Sequence, residues 1–450
     1  MKLTVFQSEK GDCLLLTGAD GRMVLVDGGM KAAYSRHVAP ALGRLRDEGK
    51  TVDVVYVSHI DQDHISGVLQ LMDDEVAWRI YDFAQMNGNT HKKPPASPRP
   101  PQVKSLWHNA FHEQVKDNTG EIEDMLAASA AILSGSENEA VRELASQQAE
   151  LVTSIAEAIQ LSRRVSPDQL GIKLNPPAKG KLMLVRDSSG STIKVGGMSF
   201  SIVGPFSADL KNLRKEWNDW LKNNKDRLKS IQKRAEDDAG KFSVREIGEI
   251  MMPKLRQAEE LSSLLPLAAK PAKFKLGMRG KVTTPNLASL MFFVKEKGKT
   301  LLLTGDGHHE DILKGLKHID ELDGKGGLHV DVLKVQHHAS EHNIDEEFCR
   351  RVTADHYVFC GNGEHENPDL RVLQAIADSR LSADPAVRSG NKQAGNGFKF
   401  WFNSSEQATE KDKAKEHMRE VNKRVQKLAK GSSGQMSFFF LKSSSFELQI

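Results

Sequence analysis

Four times in this chain a short apolar run, rich in Val and Leu, stops on aspartate or histidine. The runs are "VLVDGG" with Asp27, "VVYVSHIDQDH" with His59, Asp61, Asp63 and His64, "LLLTGDGHH" with Asp306, and "LKVQHHAS" with His337 and His338. Apolar runs of this length bounded by Gly, Asp or Ser read as buried strands. One polar cluster after a strand is commonplace. Four of them constrain the fold, because an α/β sheet presents its chemistry at the carboxyl ends of its strands.

The rest of the chain fits that frame. Residues 1–70 alternate β-rich runs ("KLTVFQ", "CLLLTG", "RMVLVDGG") with Asp-Gly turns and one helical stretch ending at Gly49. A Pro-rich segment, "KKPPASPRPP", breaks the pattern at residues 92–101. Beyond it Val141, Leu144, Leu151, Val152, Ile155 and Ile159 recur near helical spacing. A second helical tract carries Leu210, Leu213, Trp217 and Trp220 at three- and four-residue spacing, with Lys, Arg and Glu between them. Strand-like runs return at 181–206 and again from 281 to the end. The expected division is therefore one α/β core in three pieces, 1–90, 181–206 and 281–450. A Pro-rich loop and helical insertion fill 91–180, and a second helical insertion fills 207–280. The insertions are the natural place for a protein partner, and their Lys/Arg clusters read as a solvated face.

Composition narrows the class. Of 450 residues, 39% are hydrophobic and 27% charged, which is a globular balance. A formal net charge of +3 gives no bulk signal for nucleic acid, although a local basic face is compatible with it. The N-terminal "MKLTVFQSEKGD" lacks the apolar core of a signal peptide, and no apolar run approaches the roughly 20 residues that span a bilayer. Cys13, Cys349 and Cys360 are too scattered for a disulfide framework or a zinc knuckle. A cytoplasmic protein with no membrane contact is expected.

His and Asp side chains without nearby Cys suit Zn²⁺, Mn²⁺ or Fe²⁺ in a site that keeps positions open for water, rather than a closed structural zinc. In its order of motifs, strand, "DGG", strand, H-x-D-x-D-H-x-x-G, "TGD" and "HH-x-S", the chain resembles the metallo-β-lactamase superfamily. It looks most like the branch that includes the hydrolase domain of the competence protein ComEC, where Asp replaces the second His of H-x-H-x-D-H. "N-x-x-S-L" at Asn286–Leu290 and the "GN…H…P" element of Asn362, His365 and Pro368 fit the same branch.

The resemblance implies an α/β fold, an αββα sandwich with the metal centre at one edge. It also implies a hydrolase that uses a metal-activated water and one or two ions of Zn²⁺ or Mn²⁺. By that likeness Asp63 and His64 bind one ion together with His337. Asp306 bridges toward a second position holding His59 and Asp61, and Asp27 supports the ligands from behind. Asp63, His338 and His365 are the residues expected to act in catalysis, with His338 either a substrate contact or a hydrogen-bond partner. The further histidine usual between H-x-H-x-D-H and the bridging Asp has no clear counterpart. His91 reads as exposed beside the Pro-rich loop, and His308 and His309 read as solvent-facing on a helix turn.

A phosphodiester, in nucleic acid or a nucleotide, is the expected substrate, since paired ions suit in-line displacement at phosphorus. Two other readings stay open: hydrolysis of a carbonyl substrate such as a lactone or thioester, and an assembly component with a vestigial site.

Overall fold

In the buried strands alternate residues face different layers, and this places two sheets face to face. In the computed structural model, which describes residues 1–89, 91–109, 157–158, 160–186, 192–208, 276–279 and 284–450, the first strands are β1 (Lys2–Phe6), β2 (Leu14–Thr17), β3 (Met23–Val26) and β4 (Val54–Val57). Leu14, Leu16, Val24, Val26, Val54 and Tyr56 face a central apolar layer, while Leu15, Leu25, Val55 and Val57 face an outer one. A strand buried on both faces needs an unbroken apolar run, which is what these segments supply.

The strands that follow are β5 (Ser105–His108), β6 (Lys173–Leu174), β7 (Ile193–Val195), β8 (Met198–Gly204), β9 (Met291–Glu296), β10 (Lys299–Leu303), β11 (Leu328–Lys334), β12 (Val352–Phe359), β13 (Phe398–Phe402), β14 (Met436–Phe440) and β15 (Ser445–Gln449). One sheet runs β15-β1-β2-β3-β4-β5-β6, and the other β14-β13-β12-β11-β10-β9-β8-β7. Between them Tyr56, Trp107, Phe200 and Phe292 pack edge to face, with Tyr56–Phe292 and Trp107–Phe200 centroids 5.0 and 5.4 Å apart. The Tyr56 hydroxyl donates to the Leu290 carbonyl, tying the sheets together.

Helices cover both outer faces. Leu42 of α1 (Ala39–Asp47) and Ile65, Val68 and Met72 of α2 (Gln62–Met86) pack on the first sheet. The second is covered by α3 (His309–His318), α4 (Glu346–Arg351), α5 (Leu370–Leu381) and α6 (Asp412–Gly431), through residues such as Ile312, Phe348, Ile376 and Val421. The architecture is a four-layered α/β sandwich, as expected for a metallo-β-lactamase fold.

One feature differs from the sequence reading. β5 and β6 lie inside the segment read as loop and helical insertion, yet they extend the first sheet in parallel with β4. Runs of four and two residues are too short for periodicity to register. The helical positions Val141, Leu144, Leu151, Val152, Ile155, Ile159, Leu210, Leu213, Trp217 and Trp220 lie outside the described residues. No described helix is long and apolar enough to cross a membrane.

Candidate metal centre

Within each sheet, β3 runs parallel to β4, and β10 parallel to β11 and β12. Their carboxyl ends bring Asp27, Ser58–His64, Asp306, His337–His338 and Cys360 to one edge. Asp27, with a left-handed backbone (φ 55°), turns its carboxylate onto the next strand end. Its Oδ1 accepts from the Ser58 amide at 2.7 Å and its Oδ2 from the Ser58 hydroxyl at 2.8 Å. The same Oδ2 lies 3.0 Å from His64 Nδ1. That contact fixes the proton on Nδ1 and turns the Nε2 lone pair of His64 toward the edge.

Two glycines make this approach feasible. A side chain on Gly67 would lie 2.0 Å from the Gly28 carbonyl oxygen, and one on Gly28 would lie 2.3 Å from the Val68 amide. Bare backbone therefore meets bare backbone, sealed by Gly28 N–H to His64 O at 2.8 Å and Gly67 N–H to Gly29 O at 3.0 Å. The first turn of α2 is locked against the Asp27 loop, with Asp61 as its N-cap and Asp63 and His64 just inside.

Asp306 is the centre of the cluster. Its Oδ2 lies 3.4 Å from His338 Nε2, 3.5 Å from His64 Nε2, 3.7 Å from His337 Nε2 and 3.8 Å from His59 Nε2. Each ring presents Nε2 because Nδ1 is engaged elsewhere. His337 Nδ1 lies 2.6 Å from Asn343 Oδ1, His338 Nδ1 lies 2.6 Å from the Cys360 carbonyl, and His59 Nδ1 lies 3.0 Å from Ser58 Oγ. The Nε2 atoms of His59 and His64, with Asp306 Oδ1, are buried without a hydrogen-bond partner among the described residues. Unpartnered buried polar atoms at this density are costly. Two donors about 2.1 Å from one tetrahedral ion would stand about 3.4 Å apart, close to the spacings around Asp306. The donor set fits a divalent cation; His59, His64 and Asp306 form one group able to hold it, and Asp12, His64 and His338 another.

The partnering differs in detail from the sequence expectation. His338 rather than His337 stands against Asp63, with Nε2 3.1 Å from Asp63 Oδ2. His338 thus faces the carboxylates directly, although sequence left it as substrate contact or supporting partner. Asp61 stays half-buried at the rim, 3.5 Å from His59 Nε2. His365 is not brought to the cluster: it sits exposed on the turn after β12, in a left-handed conformation (φ 56°), and makes no hydrogen bond or ion pair with these residues. The neighbouring Gly361 does back onto the site, close enough that a side chain there would touch the Cβ of His338.

Sequence reading missed Asp12 and Lys334. Lys334, buried at the end of β11, pairs with Asp12 Oδ2, donates to the Gly305 carbonyl at 3.0 Å and lies 3.6 Å from Asp306 Oδ1. Asp12 Oδ1 in turn lies 3.4 Å from His338 Nδ1. The signal was an Asp in the "KGD" turn and a lysine amid an apolar run, both normally solvated. His308 and His309 correct another expectation, since both are buried. His308 caps α3 by accepting from the Glu310 amide, and both rings meet the Gly277 carbonyl, at 3.2 and 3.3 Å. Burial and the neighbouring His309 push the pKa of His308 down to about 3. His91 is exposed, as read.

Electrostatically the cluster is short of positive charge. Burial alone would depress the pKa of His338, but Asp306, Asp12 and Asp63 outweigh it and raise the value to about 10. His64 is raised likewise, burial being overcome by Asp306, Asp63, Asp27 and Asp12. Burial would raise Asp306, yet His338, His64 and His337 hold it well below the usual carboxylate range. Protons on imidazole here do the work that a cation would do.

Residues 9–82, the stretch from the β1–β2 turn to the last turns of α2, match the metallo-beta-lactamase superfamily model. That superfamily consists largely of metal-dependent hydrolases, and the matched stretch contains Asp12, Asp27, His59, Asp61, Asp63 and His64. No curated protein matches the chain.

Proposed function

We propose that this protein is a metal-dependent phosphodiesterase acting on nucleic acid or a nucleotide, with Mn²⁺ or Zn²⁺ at the edge of the sandwich. The observation that carries the reading is the convergence of four imidazole nitrogens on Asp306 Oδ2. Asp63, His64 and His338 would hold one ion and His59, Asp61 and His337 the other, with Asp306 shared between them. Bound ions would supply Lewis acidity to a substrate oxygen and lower the pKa of the attacking water.

The protein's own residues do the rest. Asp27, Asn343 and the Cys360 carbonyl keep Nδ1 engaged on His64, His337 and His338, so that each ring keeps its Nε2 lone pair aimed inward. Carboxylate-rich ligation, with Asp61 where histidine is commoner, supports Mn²⁺ over a pair of tight zincs. A centre with two positions favours phosphorus, since both the attacking and the leaving oxygen can be stabilised.

The test is a screen of protein reloaded with Mn²⁺, Zn²⁺ or Mg²⁺ against bis(p-nitrophenyl) phosphate, single- and double-stranded DNA, RNA, cyclic nucleotides, and lactone and thioester esters. Mn²⁺-dependent phosphodiester cleavage, lost in Asp63→Ala, is expected. Turnover of the carbonyl substrates alone would replace the phosphodiester assignment, and no turnover of any would leave a binding role.

A further inference from the structure

We infer that Asn286 is an additional ligand of the metal centre, giving its amide oxygen to the ion position that His337 faces. This rests on the metal-centre reading above and extends it to a residue outside the His/Asp motifs.

Asn286 lies in the helical turn Thr284–Leu287, just before β9, and its side chain is only 2% exposed. Its Oδ1 is buried without a hydrogen-bond partner among the described residues. Its Nδ2 stands 3.4 Å from His337 Nε2 and 3.5 Å from His337 Nδ1, both beyond the 2.7–3.2 Å of a good hydrogen bond. A buried primary amide whose oxygen has no partner among the described residues, and whose nitrogen makes long contacts to His337, is costly wherever it is purely structural.

The orientation of His337 sharpens the point. Asn343 donates from Nδ2 to the Asp306 carbonyl at 2.8 Å, which turns its Oδ1 to His337 Nδ1 at 2.6 Å. His337 therefore carries its proton on Nδ1 and offers Nε2 as a lone pair. That lone pair faces the Asn286 amide, while Asp306 Oδ2, itself an acceptor, lies 3.7 Å away. Exchanging the two amide atoms of Asn286 by rotation puts its oxygen 3.4 Å from His337 Nε2, about the separation of two donors on one ion. As placed, the amide N–H faces the ring; a bound ion would take the oxygen instead.

The backbone around Asn286 belongs to the site. The Ser289 amide donates to the Asn286 carbonyl at 3.1 Å, Ser289 Oγ accepts from the Asp306 amide at 3.2 Å, and the Leu290 amide donates to the Ser58 carbonyl at 2.8 Å. The turn that carries Asn286 is thus fastened to both ligand loops, the one with His59 and the one with Asp306. An amide oxygen is a hard ligand, and beside Asp61 and Asp306 it would favour Mn²⁺ over Zn²⁺.

The experiment is calorimetric titration of chelator-stripped protein with Mn²⁺ and Zn²⁺ for wild type, Asn286→Ala, Asn286→Asp and Asn286→His, each checked for an unchanged melting profile in the ion-free state. Mn²⁺ affinity at one position should fall about ten-fold or more in Asn286→Ala, a loss even outer partners of metal ligands can cause. Asn286→Asp should recover it, and Asn286→His should recover Zn²⁺ binding more than Mn²⁺ binding. Rescue by two ligand-competent side chains is what a role in merely orienting His337 would not produce. Asn286→Ala binding both ions as wild type does would overturn the ligand assignment while leaving the centre intact. Wild-type protein that takes up neither ion would instead overturn the centre itself, and Asn286 with it.

Discussion

Asp12 and Lys334 form an ion pair in which each side chain is only 1% exposed, and Lys334 also lies 3.6 Å from Asp306 Oδ1. The pair joins the β1–β2 turn of one sheet to the end of β11 in the other. It thereby sets one fixed positive charge behind a cluster of carboxylates.

Removing one partner should therefore cost more than removing both. Lys334→Met leaves Asp12 buried without its cation, a change on the order of 3–5 kcal/mol. Asp12→Asn with Lys334→Met together should cost clearly less than the sum of the single changes. Urea denaturation of the chelator-stripped variants checks this; additive losses would show that the two side chains are not coupled.

Proton and metal should compete for His338. Its folded-state value near 10 stands above the ordinary 6.5, so its stabilising contribution is complete below about pH 6.5 and disappears as pH rises through about 10. Ion-free protein should melt at a lower temperature at pH 9.5 than at pH 7. Mn²⁺ affinity should rise over the same interval, because the ion displaces a proton. Affinity that is flat or falling from pH 6.5 to 9 would show that the ion does not displace a proton from His338.

Gly67→Ala should disrupt the site without touching a ligand. The added carbon would lie 2.0 Å from the Gly28 carbonyl oxygen, so the first turn of α2 must move away from Asp27. A loss of roughly 1–3 kcal/mol is expected from this overpacking, with weaker ion binding through displaced His64. Stability and titration measurements equal to wild type would show that the Gly28–Gly67 contact has slack.

Strand-end chemistry is legible in the sequence, and the reason is local. Asp27, His59, Asp63, His64, Asp306 and His337 each follow an apolar run long enough to read as a strand, and parallel strands deliver such residues to one edge. Asp12 and Lys334 were not legible, because their significance lies in a contact across 322 positions of sequence between residue types that usually face water. The pairing of His338 with Asp63 depends on the left-handed backbone of His337 and His338 (φ 44° and 52°), which no periodicity encodes. The same kind of turn carries His365 outward, although its motif suggested a place in the site.

Asp61→His should shift metal preference from Mn²⁺ toward Zn²⁺, since imidazole suits zinc better than a rim carboxylate does. The Mn²⁺-supported rate should fall in this variant, whereas Asp63→Ala should abolish turnover with any ion. Metal titration of both variants against one phosphodiester decides. An unchanged preference in Asp61→His would place the chemistry on a single ion held by Asp63, His64, His338 and Asp306.

Anomalous diffraction from crystals grown with Mn²⁺ or Zn²⁺ tests most directly whether the histidines around Asp306 are metal ligands. Anomalous density about 2.0–2.2 Å from Asp306 Oδ2 and from the Nε2 atoms of His64 and His338 is expected, with a second peak beside His59 and His337. Crystals that carry the ion elsewhere, or nowhere, while these side chains keep their positions would contradict it.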